Sequence, residues 1–122
     1  MAKVLIVEDN ALNLKLFHDL LRIKNHKVII SKDGVDVVDT AVKEQPDLIL
    51  MDIQLGNISG IDLIKDLKQN PNTKDIPIVA ITAFAMKNDE IRISESGCDL
   101  YLPKPVSIDK FFVSIDKFIQ TS

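Results

Sequence analysis

Unbroken apolar runs alternate along this chain with segments whose apolar residues recur at three- and four-residue spacing. Short continuous runs read as strands buried on both faces, and the recurring segments read as helices with one buried side. Strands are predicted over Val4–Val7, Val28–Ile30, Asp47–Met51, Pro77–Thr82 and Asp99–Leu102. Helices are predicted from Leu12 to about Arg22, over Val35–Val42, from Ile61 to about Lys68, over Asn88–Ser96 and over Ile108–Phe118. In the first helix Leu12, Leu16 and Leu20, with Phe17 and Leu21, form the expected buried stripe; Leu14 falls off it and is expected to be exposed. Phe111, Ile115 and Phe118 form the stripe of the last helix. Punctuation supports the boundaries. Asp9 or Asn10 can cap the first helix, Gln45-Pro46 stops the second, and Gly97 suits the left-handed position that closes the fourth. Strict alternation of strand and helix means a parallel sheet with helices on both faces, an α/β doubly wound domain.

The strand ends carry the chemistry. Leu48–Met51 runs into Asp52, Val4–Val7 into Glu8-Asp9, Ile78–Ile81 into Thr82, and the fifth strand into Pro103-Lys104-Pro105. In open parallel sheets ligands bind beyond the carboxyl ends of the strands, where these residues meet. Asp52 alone has two readings, a reactive group or an Asx-turn that caps its loop. Three clustered carboxylates raise one another's pKa. A hard divalent cation relieves that, and an all-oxygen ligand set selects Mg²⁺. A lysine and a hydroxyl beside such an ion suit a phosphoryl group, and a carboxylate can be the nucleophile that takes it. His18 and His26 lie away from the strand ends and read as surface or packing residues. Cys98 reads as a small buried hydrophobe.

Composition narrows the classes. A chain of 122 residues is one domain, 1–122, able to bury about 70% of its unfolded surface. A net charge of −3 offers no basic surplus for nucleic acid. No apolar run approaches the ~20 residues of a membrane span, the N-terminus does not read as a signal peptide, and a single cysteine fits a reducing cytoplasm.

Val7-Glu8-Asp9-Asn10, Leu50-Met51-Asp52, Thr82-Ala83 and Lys104-Pro105 stand in the order and at the spacing of a known family. On these motifs the chain resembles, over essentially its whole length, the receiver domains of two-component signalling, the CheY-like family. The wording around Lys15–Leu21, Met51–Leu55 and Thr82–Lys87 is similar to the single-domain receivers that control cell division and polarity. The resemblance implies a (βα)5 flavodoxin-like sheet of strand order 2-1-3-4-5. It implies that Asp52 accepts a phosphoryl group from a sensor histidine kinase or phosphotransfer protein. Asp9, Asp52 and the backbone carbonyl of Gln54 would hold Mg²⁺ (or Mn²⁺), with Glu8 acting directly or through water. Thr82 and Lys104 would contact the phosphoryl group, Tyr101 would turn inward as an aromatic switch, and the Lys104-Pro105 bond would be cis. Self-phosphorylation and self-dephosphorylation would be the limit of its catalysis.

Two positions depart from or tune the family pattern. Gly56 stands where proline is common, which predicts a less rigid loop. Phe84, two residues after Thr82, cannot orient an attacking water, which predicts slow self-dephosphorylation. Asn13, Leu14 and Pro105 are candidate kinase-docking residues. With no output segment after Ser122, the expected output is contact with a downstream kinase or effector protein, through Asn88–Ser96, Asp99–Leu102 and Ile108–Phe118. A cytoplasmic monomer, recruited to a cell pole by membrane kinases, is the expected setting. An aspartyl-phosphate phosphatase needs a second Asp where this chain has Gln54. A nucleotide site needs a Gly-rich loop where it has Glu8-Asp9-Asn10. A flagellar-motor regulator and an unphosphorylated pseudo-receiver remain as alternatives.

Overall fold

The computed structural model describes residues 2–32, 34–55, 58–83 and 87–119. Five strands and five helices alternate: β1 (Lys3–Val7), α1 (Ala11–Ile23), β2 (Lys27–Ser31), α2 (Val37–Glu44), β3 (Leu48–Asp52), α3 (Gly60–Gln69), β4 (Ile78–Thr82), α4 (Lys87–Glu95), β5 (Leu100–Pro103) and α5 (Ile108–Asp116). All strand pairings are parallel and the spatial order is β2-β1-β3-β4-β5, as expected. β3 and β4 are buried throughout, because helices cover both sheet faces.

Alternation of side chains along each strand divides the core in two. Leu5, Val7, Ile49, Met51, Ile78 and Ala80 pack under α2, α3 and α4. Val4, Ile6, Leu48, Leu50, Val79 and Ile81 pack under α1 and α5, where the rings of Phe17 and Phe111 stack 5.3 Å apart. Each fully buried aliphatic side chain contributes about 1.5–3 kcal/mol.

The buried face of α1 differs from the expected stripe. Leu12 is 81% exposed and Leu16 37%, whereas Phe17, Leu20 and Leu21 are buried and Leu14 packs half-buried against the core. With leucines at so many positions, two stripes about half a turn apart fit the same helix, and the docking angle on the sheet selects Leu14, Phe17 and Leu21. Asn10 supplies the cap, accepting from Leu12 N–H and Asn13 N–H. α2 begins two residues later than predicted, because residues 34–36 form a turn closed by Val37 N–H on the Gly34 carbonyl. Val35 is left 73% exposed. Gly97 takes φ +97° after α4, as expected.

Lys68 ties the opposite end of the sheet together. Its Nζ donates to the carbonyls of Lys74 (3.3 Å) and Ile76 (2.9 Å) and to Asp99 Oδ2 (2.9 Å), and Asp99 Oδ2 also accepts Ile78 N–H at 2.8 Å. Lys68→Met removes the cation and leaves two carbonyls and a carboxylate short of a donor. Urea unfolding is expected to show a loss of about 1–3 kcal/mol, with an unchanged m-value.

Candidate functional site

Register brings the strand ends to one edge. Val7 pairs with Met51, Asp52 with Ile81, and Thr82 with Pro103. The residues just beyond are placed by main-chain bonds. Glu8 N–H donates to the Ser31 carbonyl at 3.2 Å, Ile53 N–H to the Ile81 carbonyl at 2.9 Å, and Lys104 N–H to the Thr82 carbonyl at 2.7 Å. The Lys104-Pro105 peptide is cis. Lys104 therefore follows β5 directly beside Thr82 and leans over Asp52.

Carboxylate oxygens of Glu8, Asp9 and Asp52 lie within 4.8 Å of one another. Asp9 is exposed; Glu8 and Asp52 are only 1% and 2% exposed. Lys104 Nζ stands 3.3 Å from both Glu8 Oε1 and Asp52 Oδ2, with hydrogen-bond geometry only to Asp52. Both Glu8 oxygens are thus buried without a hydrogen bond. Among the described residues one cation stands beside three carboxylates, which leaves the cluster short of positive charge. The two orphaned oxygens and the all-oxygen donor set fit a hard divalent cation.

Burial, then the close approach and negative charge of Asp52, push the Glu8 carboxyl up to about 7, and Lys104 pulls it partly back. The sign for stability follows from linkage. The carboxyl is more basic in the folded chain than in the unfolded one, so the unfolded chain releases its proton first as pH rises. In metal-free buffer, stability associated with Glu8 is present below about pH 4.5 and is lost as pH rises through about 7. The expected loss is on the order of 2–3 kcal/mol. Glu8→Gln should flatten this slope, measured as the difference between the two proteins' urea midpoints across pH.

The Asx-turn expected of Asp52 is present. Gln54 N–H donates to Asp52 Oδ1 at 2.9 Å, an Asx-turn that orients the carboxylate. Oδ2 is left on the side of Lys104. Thr82 is wholly buried at its strand end. Tyr101 is half-buried against the first core cluster. Asn13 is half-exposed and Pro105 exposed at the same end of the molecule. Leu14 is not the free apolar side chain expected, since it packs on the core. Phe84 and Gly56 lie outside the described residues.

The remaining polar candidates stay away from this edge. His26 is 1% exposed, and its Nδ1 accepts Ala2 N–H at 3.1 Å at the far end of β1. His18 Nδ1 lies 3.3 Å from Asp19 on the outside of α1. Burial pushes the Cys98 thiol up, which makes it a poor nucleophile.

Sequence reasoning missed Gly60. A Cβ there would lie 2.4 Å from the Asp52 carbonyl oxygen and 2.7 Å from the Ile53 Cα. Gly60 N–H also donates to the Ile53 carbonyl at 3.2 Å. The start of α3, capped by Ser59 on Asp62 N–H at 3.3 Å, is therefore pressed onto the backbone that carries Asp52. The only signal in the sequence was a glycine directly after a capping serine.

Comparison with known proteins agrees with this arrangement. Residues 4–116 match the response regulator receiver domain model. The chain is 46% identical over 116 residues to the polar-differentiation response regulators DivK of Brucella anthropi and Brucella ovis, covering 95% of this chain and 94% of each of theirs. Among solved structures, the receiver domain of a sensor histidine kinase from Pseudomonas aeruginosa, with a magnesium ion coordinated in its active site cleft, superposes with TM-score 0.88 at 28% identity, over 96% of both chains. The chemotaxis protein CheY4 of Vibrio cholerae shares the fold, at TM-score 0.89 and 22% identity over 98% of this chain and 99% of its own. Strand order, an acidic cluster at the carboxyl edge and a family match over nearly the whole chain converge on one conclusion: this protein belongs to the response regulator receiver domain family.

Proposed function

We propose that the chain acts as one receiver domain, switched by phosphorylation of Asp52. The observation that carries this reading is the approach of Lys104 Nζ to 3.3 Å from Asp52 Oδ2, inside a cluster of three carboxylates. Asp9 and Asp52, the backbone carbonyl of Gln54 and, directly or through water, Glu8 would hold a Mg²⁺ ion, for which Mn²⁺ could substitute. When bound there, such an ion would supply positive charge against the cluster's carboxylates and the incoming phosphoryl oxygens. A carboxylate oxygen of Asp52 forms a bond to phosphorus as the bond from phosphorus to the donor histidine nitrogen breaks, and the histidine leaves. Gln54 N–H keeps the carboxylate oriented for that attack. Lys104 pairs with the transferred oxygens, and the Thr82 hydroxyl donates to one of them. Because Lys104 N–H is bonded to the Thr82 carbonyl, movement of Thr82 passes to β5 and its half-buried Tyr101.

The donor is a sensor histidine kinase or a phosphotransfer protein, docking near Asn13 and Pro105. The listener is a downstream kinase or effector protein that reads α4, β5 and α5. The names of the Brucella relatives support a role in polarity and cell division, in the cytoplasm with recruitment to a pole. No described helix is long and apolar enough to cross a membrane. Mg²⁺-dependent self-phosphorylation and self-dephosphorylation is the chemistry proposed for the chain itself.

Beryllofluoride, a stand-in for the phosphoryl group, tests the switch. With Mg²⁺ present it should shift the amide resonances of Thr82, Lys104 and Tyr101 together. Shifts confined to the residues flanking Asp52 would contradict a switch that reaches β5.

A further inference from the structure

β2 closes one side of the sheet and, among the described residues, pairs with β1 alone. Its hydrogen bonding follows from the register. Lys27 N–H donates to the Ala2 carbonyl, and the Ser31 carbonyl accepts Glu8 N–H. Residues bonded to a neighbouring strand alternate, so Lys27, Ile29 and Ser31 face β1. The main-chain groups of Val28 and Ile30 point away from the sheet. An open edge of this kind is a template for an added strand.

The edge is accompanied by a cleft. Between α1 and β2 lies a space of about 370 Å³ whose lining includes Asp9, Leu14, Lys15, His18, Ile30 and Lys32. Leu14 and Ile30 make its floor apolar, and Ile30 is 43% exposed. Val28 and Ile30 share one sheet face because strand side chains alternate, and this is the face that α1 covers. A side chain on that face of an added strand would therefore enter the cleft.

Although the chain carries −3 overall, the cleft is lined by two lysines, Lys15 and Lys32, against one carboxylate, Asp9 at its upper end. Lys15, Arg22 and Lys32 are exposed here, and Lys15, His18 and Arg22 follow one another along one side of α1 at helical spacing. Asp19 holds Lys15 at 2.8 Å, which leaves Arg22 and Lys32 to meet a partner. Pairing β2 with a second copy about a two-fold axis would bring two basic rims together, which disfavours self-association.

We propose that the β2 edge and the α1–β2 cleft bind an extended segment of a partner protein by strand addition. The segment carries an aliphatic residue that enters the cleft, flanked at two-residue spacing by acidic residues that meet Arg22 and Lys32. Main-chain bonds to Val28 and Ile30 supply the register, and the cleft and the basic rim supply the selectivity.

The probe is the acetylated, amidated hexapeptide Thr-Glu-Thr-Leu-Thr-Glu, titrated into the ¹⁵N-labelled full chain and followed by amide shifts and amide exchange. Saturable shifts and slowed exchange are expected at Val28 and Ile30, with the β5 edge unchanged. Strand addition uses alternate peptide N–H groups, so N-methylation in one alternating frame should weaken binding at least about tenfold. Methylation in the other frame should leave it unchanged. Lys32→Glu, at an exposed position that should not disturb folding, should weaken binding about tenfold, and exchange of the peptide's glutamates for lysine should abolish it. No saturable shift at Val28 and Ile30 would overturn the proposal and leave the lysines as a device that keeps the edge unpaired. Equal effects of the two methylation frames would overturn it as well.

Discussion

Asp52→Asn is expected to take up no phosphate and yet to melt at a higher temperature than the wild type in metal-free buffer. The first effect removes the nucleophile, since an amide oxygen cannot form the acyl phosphate. The second follows from charge. Among the described residues, Glu8 and Asp52 are buried together beside a single lysine, and both Glu8 oxygens are without a hydrogen bond. An amide at position 52 keeps the oxygen that accepts Gln54 N–H and removes one of the repelling charges. The expected gain is about 1–2 kcal/mol, or about 5 °C in a thermal scan. Saturating Mg²⁺ should shrink the difference by stabilising the wild type more than the variant. A lower melting point for Asp52→Asn in metal-free buffer would mean that the cluster is already balanced. The two expected effects oppose activity to stability, as often happens where a functional site breaks a packing rule.

Gly60→Ala is expected to be the most damaging single-methyl change among the described residues. The new Cβ would lie 2.4 Å from the Asp52 carbonyl oxygen and 2.7 Å from the Ile53 Cα. Both are backbone, so no side-chain rotation relieves the overlap. Either α3 moves out, losing Gly60 N–H on the Ile53 carbonyl and the packing of Ile61 and Ile64, or β3 distorts at its reactive end. A loss of about 3 kcal/mol is expected, lowering the melting temperature by roughly 10 °C. The fraction that folds should still bind Mg²⁺ through Asp9 and Glu8, but should accept phosphate more slowly because the Asp52 carboxylate is misplaced. Wild-type stability in Gly60→Ala would show that the α3 start is free to move relative to β3.

Much of this was legible in the sequence because the sheet is buried on both faces. β1, β3 and β4 read directly as continuous apolar runs, and their polar ends marked the edge where the carboxylates cluster. The face of α1 was not legible. Leu12, Leu14, Leu16, Phe17, Leu20 and Leu21 offer two stripes, and the choice depends on how a helix lies across a twisted sheet. The choice matters for docking: it puts Leu12 and Leu16 in solvent and ties Leu14 to the core. The burial of Glu8 was not legible either, because it depends on Ser31 of a neighbouring strand fixing the Glu8 amide. Gly60 was invisible for the same reason, since its constraint comes from the β3 backbone pressed against the start of α3. The Asx-turn and the reactive-group readings of Asp52 were competing expectations in the sequence. In the fold one oxygen serves the turn and the other faces Lys104.

The central claim is that Asp52 accepts a phosphoryl group with the help of a cation held by its acidic neighbours. The most direct test incubates the intact chain with acetyl phosphate, with and without Mg²⁺, reads whole-protein mass, and maps any phosphate to a peptic fragment. The account predicts the gain of one phosphate, dependent on Mg²⁺, in the fragment that holds Asp52. No gain under any condition, a gain that needs no divalent cation, or a phosphate on any other fragment would contradict it.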